Sequence, residues 1–227
     1  MNVIDAMNKR RSIRGFTADP LPNALLREIL ETAIKAPSAL NSQPWEFAVI
    51  AGSVLDQIRS ANVEKLRSGA PMAPDHVAAR WPKASVYRER QVELAKQIFH
   101  LMDIAREDKE KRNAWQERGF RFFDAPAAII VMADQALSES GPLLDIGMVV
   151  ENICLAAVAH GLGTCIEDQG IFYPEVIRKL AGIPETKRLI IGIAIGYPDW
   201  AYPANQLKTR RAPVDQITTW AGFAETP

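Results

Sequence analysis

Arg10, Arg11 and Arg14 stand around Ser12 in the stretch NKRRSIRGF, residues 8–16, with Lys9 just ahead of them. Forked guanidinium donors and one hydroxyl match the oxygens of a terminal phosphate, which carries a charge of about −1.5 to −2 at neutral pH. The same cluster also suits a solvated helix end, the usual fate of a run of charge. Bulk charge favours neither reading. Lys+Arg and Asp+Glu both number 27, so no global field draws the chain to nucleic acid or an anionic membrane, and any basic site is local. A second stretch, APSALNSQPW at residues 36–45, holds small side chains, amides and hydroxyls between two helix-breaking prolines. Such a loop lets backbone approach a flat ligand while Ser38, Asn41, Ser42 and Gln43 supply hydrogen bonds; each residue taken singly also fits a structural loop with caps.

Signatures of other chemistries are missing from the sequence. It contains no GxxxxGK[ST], no GxGxxG after a strand, no GxSxG and no HExxH. His76, His100 and His160 are scattered, and Cys154 and Cys165 both fall in an apolar stretch. The two cysteines read as buried core thiols in a reducing compartment. No metal site, no Ser-His or Cys-His nucleophile and no catalytic side chain is expected. The N-terminal residues lack the apolar run of a secretory signal. The most apolar stretch, PLLDIGMVVENICLAAVAHGLG, carries Asp145, Glu151 and Asn152, which are costly in lipid. A soluble cytoplasmic protein without a membrane partner is the expectation.

These residues need a scaffold, and the patterning outlines one. A hydrophobic content of 48% with 24% charge in 227 residues suits one globular domain spanning 1–227. A short helix is predicted over residues 2–10. From Asn23, a plausible N-cap, Leu25, Leu26, Ile29, Leu30 and Ala33 make one helical stripe that Pro37 stops. EFAVIAG reads as a buried strand, APAAIIVMA as a second and RLIIGIAIGYP as a third. Between the first two, residues 54–123 form a polar, mostly helical excursion with a break at SGAPMAPDH and one or two long amphipathic helices after it. A strongly apolar helix at 143–160, a turn at TCIEDQG and a helix at 174–181 follow. Few strands among many helices make an α+β sandwich. The helix at 143–160 has more apolar surface than one sheet face needs, so a dimer interface is expected to take the rest.

Taken together, RRSIRGF and APSALNSQPWEF resemble the signature of the FMN-dependent nitroreductase family, with a nitrobenzoate-reductase-like branch suggested by LMDIAREDKEKR and RFFDAP. LDIGMVVENICLAAVAHGLGTC, LIIGIAIGYPD and LKTRRAP fit the same pattern in order, so the resemblance spans essentially the whole chain. It implies a central, mostly antiparallel sheet flanked by helices in an intertwined homodimer, with tightly bound FMN at the subunit interface. By that resemblance Arg10, Arg11 and Ser12 face the phosphate and ribityl chain. Arg14, one helical turn from Arg10 and Arg11, reaches the N1/O2 edge of the ring. Pro37, Ser38, Ala39, Leu40 and Asn41, with Gln43 beside them, come from the partner subunit. Glu167, Asp168 and Gln169 match the segment against flavin N5, and Arg211 with nearby Lys208 matches the terminal phosphate contact. Ala39 stands where relatives often carry Ser, and IEDQG departs from their usual N5 turn.

The activity implied is ping-pong: NAD(P)H reduces the flavin at N5, then a small nitroaromatic or quinone-like acceptor takes the electrons. Trp115, Phe120, Phe122 and Phe123 either roof the acceptor pocket, with Phe122 and Phe123 as substrate contacts, or pack the helices. Arg118 and Arg121 either pair with a substrate carboxylate or face solvent. Reductive dehalogenation, flavin reduction and flavin binding without turnover are the alternatives on the same fold.

Overall fold

The computed structural model describes residues 1–77 and 81–223; positions 78–80 of the predicted excursion and 224–227 of the tail lie outside the described residues. Four strands form one sheet: β1 (Glu46–Ala51), β2 (Ala127–Asp134), β3 (Gly163–Glu167) and β4 (Lys187–Gly196), in the order β1-β2-β4-β3. Every neighbouring pair runs antiparallel. β2 lies inside the sheet, and residues 127–133 are all buried. Covered on both faces, it needs an unbroken apolar run rather than alternation, which is why APAAIIVMA was visible in the sequence.

Helices cover both faces. α2 (Asn23–Ala33) and α6 (Leu143–Ala159) close one face through Leu26, Ile29, Ala33, Ile146, Val149 and Ile153, packed on Ala127, Ile129, Val131 and Ala133. α1 (Val3–Lys9) rests on α6. The other face packs Ala128, Ile130 and Met132 under α3 (Gly52–Arg67), α5 (Lys109–Phe120) and α7 (Pro174–Ala181), with Leu55, Ile58, Phe120 and Ile177 fully buried. A bulge reconciles the sheet with these layers. Val131 pairs with Ile191 but Met132 pairs with Leu189, so Ile190 is the extra residue and it packs with Ile191 on the α2–α6 side.

Two predicted features change and a third is narrowed to one of its alternatives. TCIEDQG is not a turn throughout: Gly163–Glu167 pairs with β4 as an edge strand, and a 3-10 turn at Gln169–Ile171 follows. Five residues containing Thr and Glu carry too short a pattern to stand out, and β4, the partner that defines the strand, lies far along the chain. Pro22, not Asn23, holds the N-cap of α2, with extended backbone at ψ 135°; Asn23 is already helical and no side chain caps the helix. The excursion after SGAPMAPDH is two helices, α4 (Val86–Leu101) and α5, parted at 102–108, where Asp103 has φ +51°. Among the described residues no helix is long and apolar enough to cross a membrane.

Candidate functional site

α1 is capped by Asn2, whose side chain accepts a hydrogen bond from Asp5 N at 2.8 Å, and it ends at Arg10, where ψ swings to 124°. From there the chain is extended. Ile13 N donates to Thr164 O at 2.9 Å, and Ser12 bridges Thr164 of β3 in parallel sense. Extended backbone alternates its side chains, so Ile13 enters the core, 2% exposed, while Ser12 and Arg14 on either side of it line the cavity with Arg10 and Arg11. The predicted helical-turn relation of Arg14 to Arg10 is therefore replaced by a two-residue period. Gly163 makes the close approach possible, since a Cβ there would lie 2.5 Å from Ile13 Cγ1.

These residues line a cavity of about 460 Å3. The tail crosses its far side with Leu207, Thr209, Arg210 and Arg211, and α4 adds Arg90 and Leu94. Six arginines thus surround one space. Like charges so placed repel unless an anion or water lies between them. Three have partners within the chain: Arg10 Nε lies 3.3 Å from Glu151 Oε1, the Arg11 guanidinium stacks 5.2 Å from the Trp200 ring centre, and Arg211 Nη1 donates to Thr209 Oγ1 at 2.7 Å. Among the described residues the Arg14 guanidinium makes no hydrogen bond or ion pair, although both of its peptide groups are held. Predicted Lys208 lines an adjoining groove with Arg10, Arg11 and Arg211 rather than the cavity itself. Arg90 and Arg210 were missed. Arg210 had a signal, the doublet in TRRAP, whereas Arg90 is one of several charges on an exposed helix and only the tertiary fold brings it here.

The second predicted stretch is built differently. Ala36 and Trp45, both 7% exposed, root its ends in the core. Between them Leu40, Asn41 and Gln43 take φ of +51°, +59° and +47°, a left-handed conformation that non-glycine residues seldom adopt and that the surroundings must enforce. Ser38 Oγ accepts from Gln43 N at 2.9 Å, Gln43 Nε2 donates to Asn41 O at 3.1 Å, and Ala39 N donates to the buried Asp145 at 3.2 Å. Leu40 projects fully into solvent. Pro37, Ser38, Ala39, Leu40, Asn41 and Gln43 do not line the arginine cavity of their own chain.

At the turn after β3, Asp168 and Gln169 are half-buried and Gln169 lies over Gly119 of α5, where an added Cβ would sit 1.9 Å from its Oε1. Glu167 departs from the expected placing because its carboxyl points inward. Oε2 accepts from Gly170 N at 2.8 Å, and Oε1 is buried without a hydrogen-bond partner among the described residues. Burial pushes this carboxyl up to about 8, against the opposing pull of the Gly170 N–H, so Glu167 is protonated at neutral pH. Burial likewise pushes Cys154 up to about 11 and Cys165 up to about 12, leaving both as inert thiols.

Phe122 and Phe123 require a correction. They do not roof a pocket: Phe122 is fully buried and Phe123 is 6% exposed, both within the core beside Phe120 and Ile58. Residues 122–124 all have positive φ, which turns the chain inward after α5. Trp115 remains half-exposed, 6.3 Å from Phe123 by ring centres, and lines a surface hollow of about 420 Å3 with Phe99, Arg112 and Gln169. Arg118 and Arg121 are engaged within the chain, Arg118 with Asp124 at 3.0 Å and Arg121 with Asp124 at 2.7 Å.

With this geometry in hand, comparison with known proteins gives a consistent result. Residues 7–197 match the model of the Nitroreductase family. Chloronitrobenzene nitroreductase of Comamonas testosteroni is 31% identical over 218 residues, which cover 95% of either chain. The crystal structure of the FMN and NADPH-dependent nitroreductase NfnB from sphigopyxis sp. strain HMH is similar at a TM-score of 0.93 and 28% identity, covering 98% of this chain and 100% of that one. The FMN-dependent nitroreductase NfnB from Mycobacterium smegmatis, in complex with NADPH, gives a TM-score of 0.89 at 26% identity over 97% of this chain and 100% of that one.

Proposed function

Because this chain belongs to the nitroreductase family, we propose that it is an NAD(P)H-dependent FMN flavoprotein that reduces nitroaromatic or quinone-like acceptors. The observation that carries the reading is the cavity in which Arg10, Arg11, Ser12 and Arg14 from one end of the chain meet Arg210 and Arg211 from the other. Its donors suit the phosphate end of FMN. Guanidinium forks hydrogen-bond phosphate oxygens two at a time, and a dianion relieves the mutual repulsion of the arginines.

When bound, FMN would supply the hydride and electron-transfer chemistry that links NAD(P)H to the acceptor. The side chains bind and orient. Arg10, Arg11, Ser12 and Arg211 hold the phosphate and ribityl end, joined by Arg90 and Arg210, with Lys208 at the margin. Arg14 presents positive charge to the N1/O2 edge, where negative charge develops, and a group fixed there beforehand needs no reorganisation during the reaction. Asp168 and Gln169, half-buried at the turn after β3, would border the N5 side, with Glu167 behind them as a neutral support. No side chain is assigned as acid or base.

The cofactor site is completed by a second copy of the chain, whose Pro37, Ser38, Ala39, Leu40, Asn41 and Gln43 cover the ring. Two observations support this homodimer. The loop is held in a strained shape with an apolar side chain in solvent, away from its own cavity. Val3, Ile4 and Met7 of α1 and Leu144 of α6 are also exposed, at 60%, 61%, 54% and 75%. The chain acts as one domain, 1–227, whose excursion 54–123 covers the active site; contact of Arg118 on α5 with the Arg14 carbonyl supports that placing. Two free, buried thiols fit a cytoplasmic location.

Purified protein tests the reading. It is expected to be yellow, to bleach under nitrogen with NADH or NADPH, and to recover its colour when a nitroarene is added. Colourless protein that takes up no added FMN contradicts it.

A further inference from the structure

Both peptide groups of Arg14 are held by side chains from remote parts of the chain. Its N–H donates to Asn205 Oδ1 at 2.7 Å, and its carbonyl accepts from Arg118 Nη2 at 3.0 Å. Asn205 is fully buried and uses its whole hydrogen-bonding capacity here. Oδ1 also accepts from Gly15 N at 3.2 Å, and Nδ2 donates to Gly15 O and Asp199 O, both at 2.7 Å. Arg118 is committed through both Nη atoms, although its buried Nε has no hydrogen-bond partner among the described residues. Nη2 also donates to Phe123 O at 3.2 Å, Nη1 meets Asp124 at 3.0 Å, and the guanidinium lies 4.7 Å from the centre of the Tyr202 ring. Tyr202 in turn presses on Gly15, where an added Cβ would fall 2.2 Å from Tyr202 Cγ. Arg118 thus bears on residues 14 and 15 twice, by a direct hydrogen bond and through Tyr202.

We propose that Arg118 is a positioning residue for Arg14, with Asn205 holding the opposite side of the same backbone. An arginine side chain has many rotamers, and a charge contributes fully to a developing anion only if it is already in place. Clamping the backbone at both peptide groups fixes the root of that side chain and leaves its guanidinium free to face the cavity. Through Arg118 the excursion does more than cover the site, because α5 sets the aim of the arginine at the redox edge. Arg118 acts through Arg14 and touches no reactant.

This inference rests on the reading above that Arg14 faces the FMN ring, and the test separates the two. The midpoint potential of bound flavin and the dissociation constant for FMN are measured for wild type, R14A, R118A, R118K and the double variant R14A/R118A. R14A is expected to move the potential to a more negative value. R118A moves it the same way by a smaller amount, and R118K, which keeps the charge but loses the fork, shares that shift. FMN affinity in the Arg118 variants stays within about threefold of wild type, because the phosphate contacts are untouched. The double variant matches R14A alone, since residues acting in series are not additive. If R14A leaves the potential unmoved, the placing of Arg14 at the ring fails. If R14A moves it while R118A and R118K do not, or if the R14A and R118A shifts add, the positioning role is overturned. Should R118A not fold, R118K against R14A and R14A/R118K decides in the same way.

Discussion

The arginine cavity and the interior behind the β3 turn treat charge in opposite ways. Six arginines line the cavity, within reach of water or a ligand, and few are neutralised by the chain itself. At the end of the strand that borders it, Glu167 lies under the surface with one backbone N–H for company, wedged among Phe122, Gly170 and Gly192. A Cβ on Gly192 would come 2.8 Å from Glu167 Oε1, so the space there is filled. Where an anion can enter, the fold keeps charge unspent. Where nothing can enter, it keeps the carboxyl protonated, because an isolated buried charge costs far more than a buried acid.

Removing the packing that closes off the interior side should have the largest effect. Phe122→Ala empties a fully buried site and is expected to cost about 3–5 kcal/mol of stability by denaturant titration. A loss below about 1 kcal/mol would show that the site relaxes freely and that Phe122 does not wall in Glu167.

Glu167 gives the next effect, in the pH dependence of stability. Its carboxyl titrates from 4.5 when unfolded to about 8 when folded, so the folded state holds the proton more tightly. Its contribution is complete below the unfolded value and is lost as pH rises through the folded one. Between about pH 5 and about pH 9, wild type should therefore lose up to a few kcal/mol more stability than Glu167→Gln, whose amide does not ionise. Parallel profiles for the two proteins would mean that Glu167 is ionised in the folded state.

On the cavity side, Arg211→Ala should weaken FMN binding about ten- to a hundredfold, the worth of one charge-assisted phosphate contact of roughly 1.5–3 kcal/mol. Arg14→Ala should slow flavin reduction more than it weakens retention, and Arg211→Ala the reverse. Equal effects of both variants on both properties would mean that the two ends of the cavity are not distinct. The smallest effect belongs to a surface pair that does not line the cavity. Arg67 and Glu117 meet at 2.7 Å on the surface, and Arg67→Ala should leave both melting temperature and FMN affinity unchanged within error.

How far the sequence disclosed all this depended on whether a feature was local. β1, β2, β4 and the helices α2, α6 and α7 were legible because apolar runs or helical stripes mark them, although β1, expected as a buried strand, lies at the sheet edge with Ile50 its one buried residue. β3 was not, because five mixed residues at a sheet edge carry almost no period and the strand exists only through its partner. The cluster at residues 10–14 was visible as charge, but its spacing was read as helical. The hydrogen bond of Ile13 to Thr164 makes it extended, and no local propensity announces that bond. Phe122 and Phe123 looked like pocket residues from composition alone, and three successive positive φ values turn them inward. Asn205 left no signal, and Arg118 pointed only to a substrate carboxylate or to solvent: a single Asn in a tail without periodicity and one Arg in a charged helix acquire their place only from what the fold sets against them.

The arginine cavity is proposed to hold a phosphate. Comparing FMN with riboflavin, the same ring system without the phosphate, tests it most directly by titration into flavin-free protein. FMN should bind at least about a hundredfold more tightly than riboflavin, and Arg211→Ala should remove a large part of that difference. Equal affinity of the wild-type protein for the two flavins would contradict the claim.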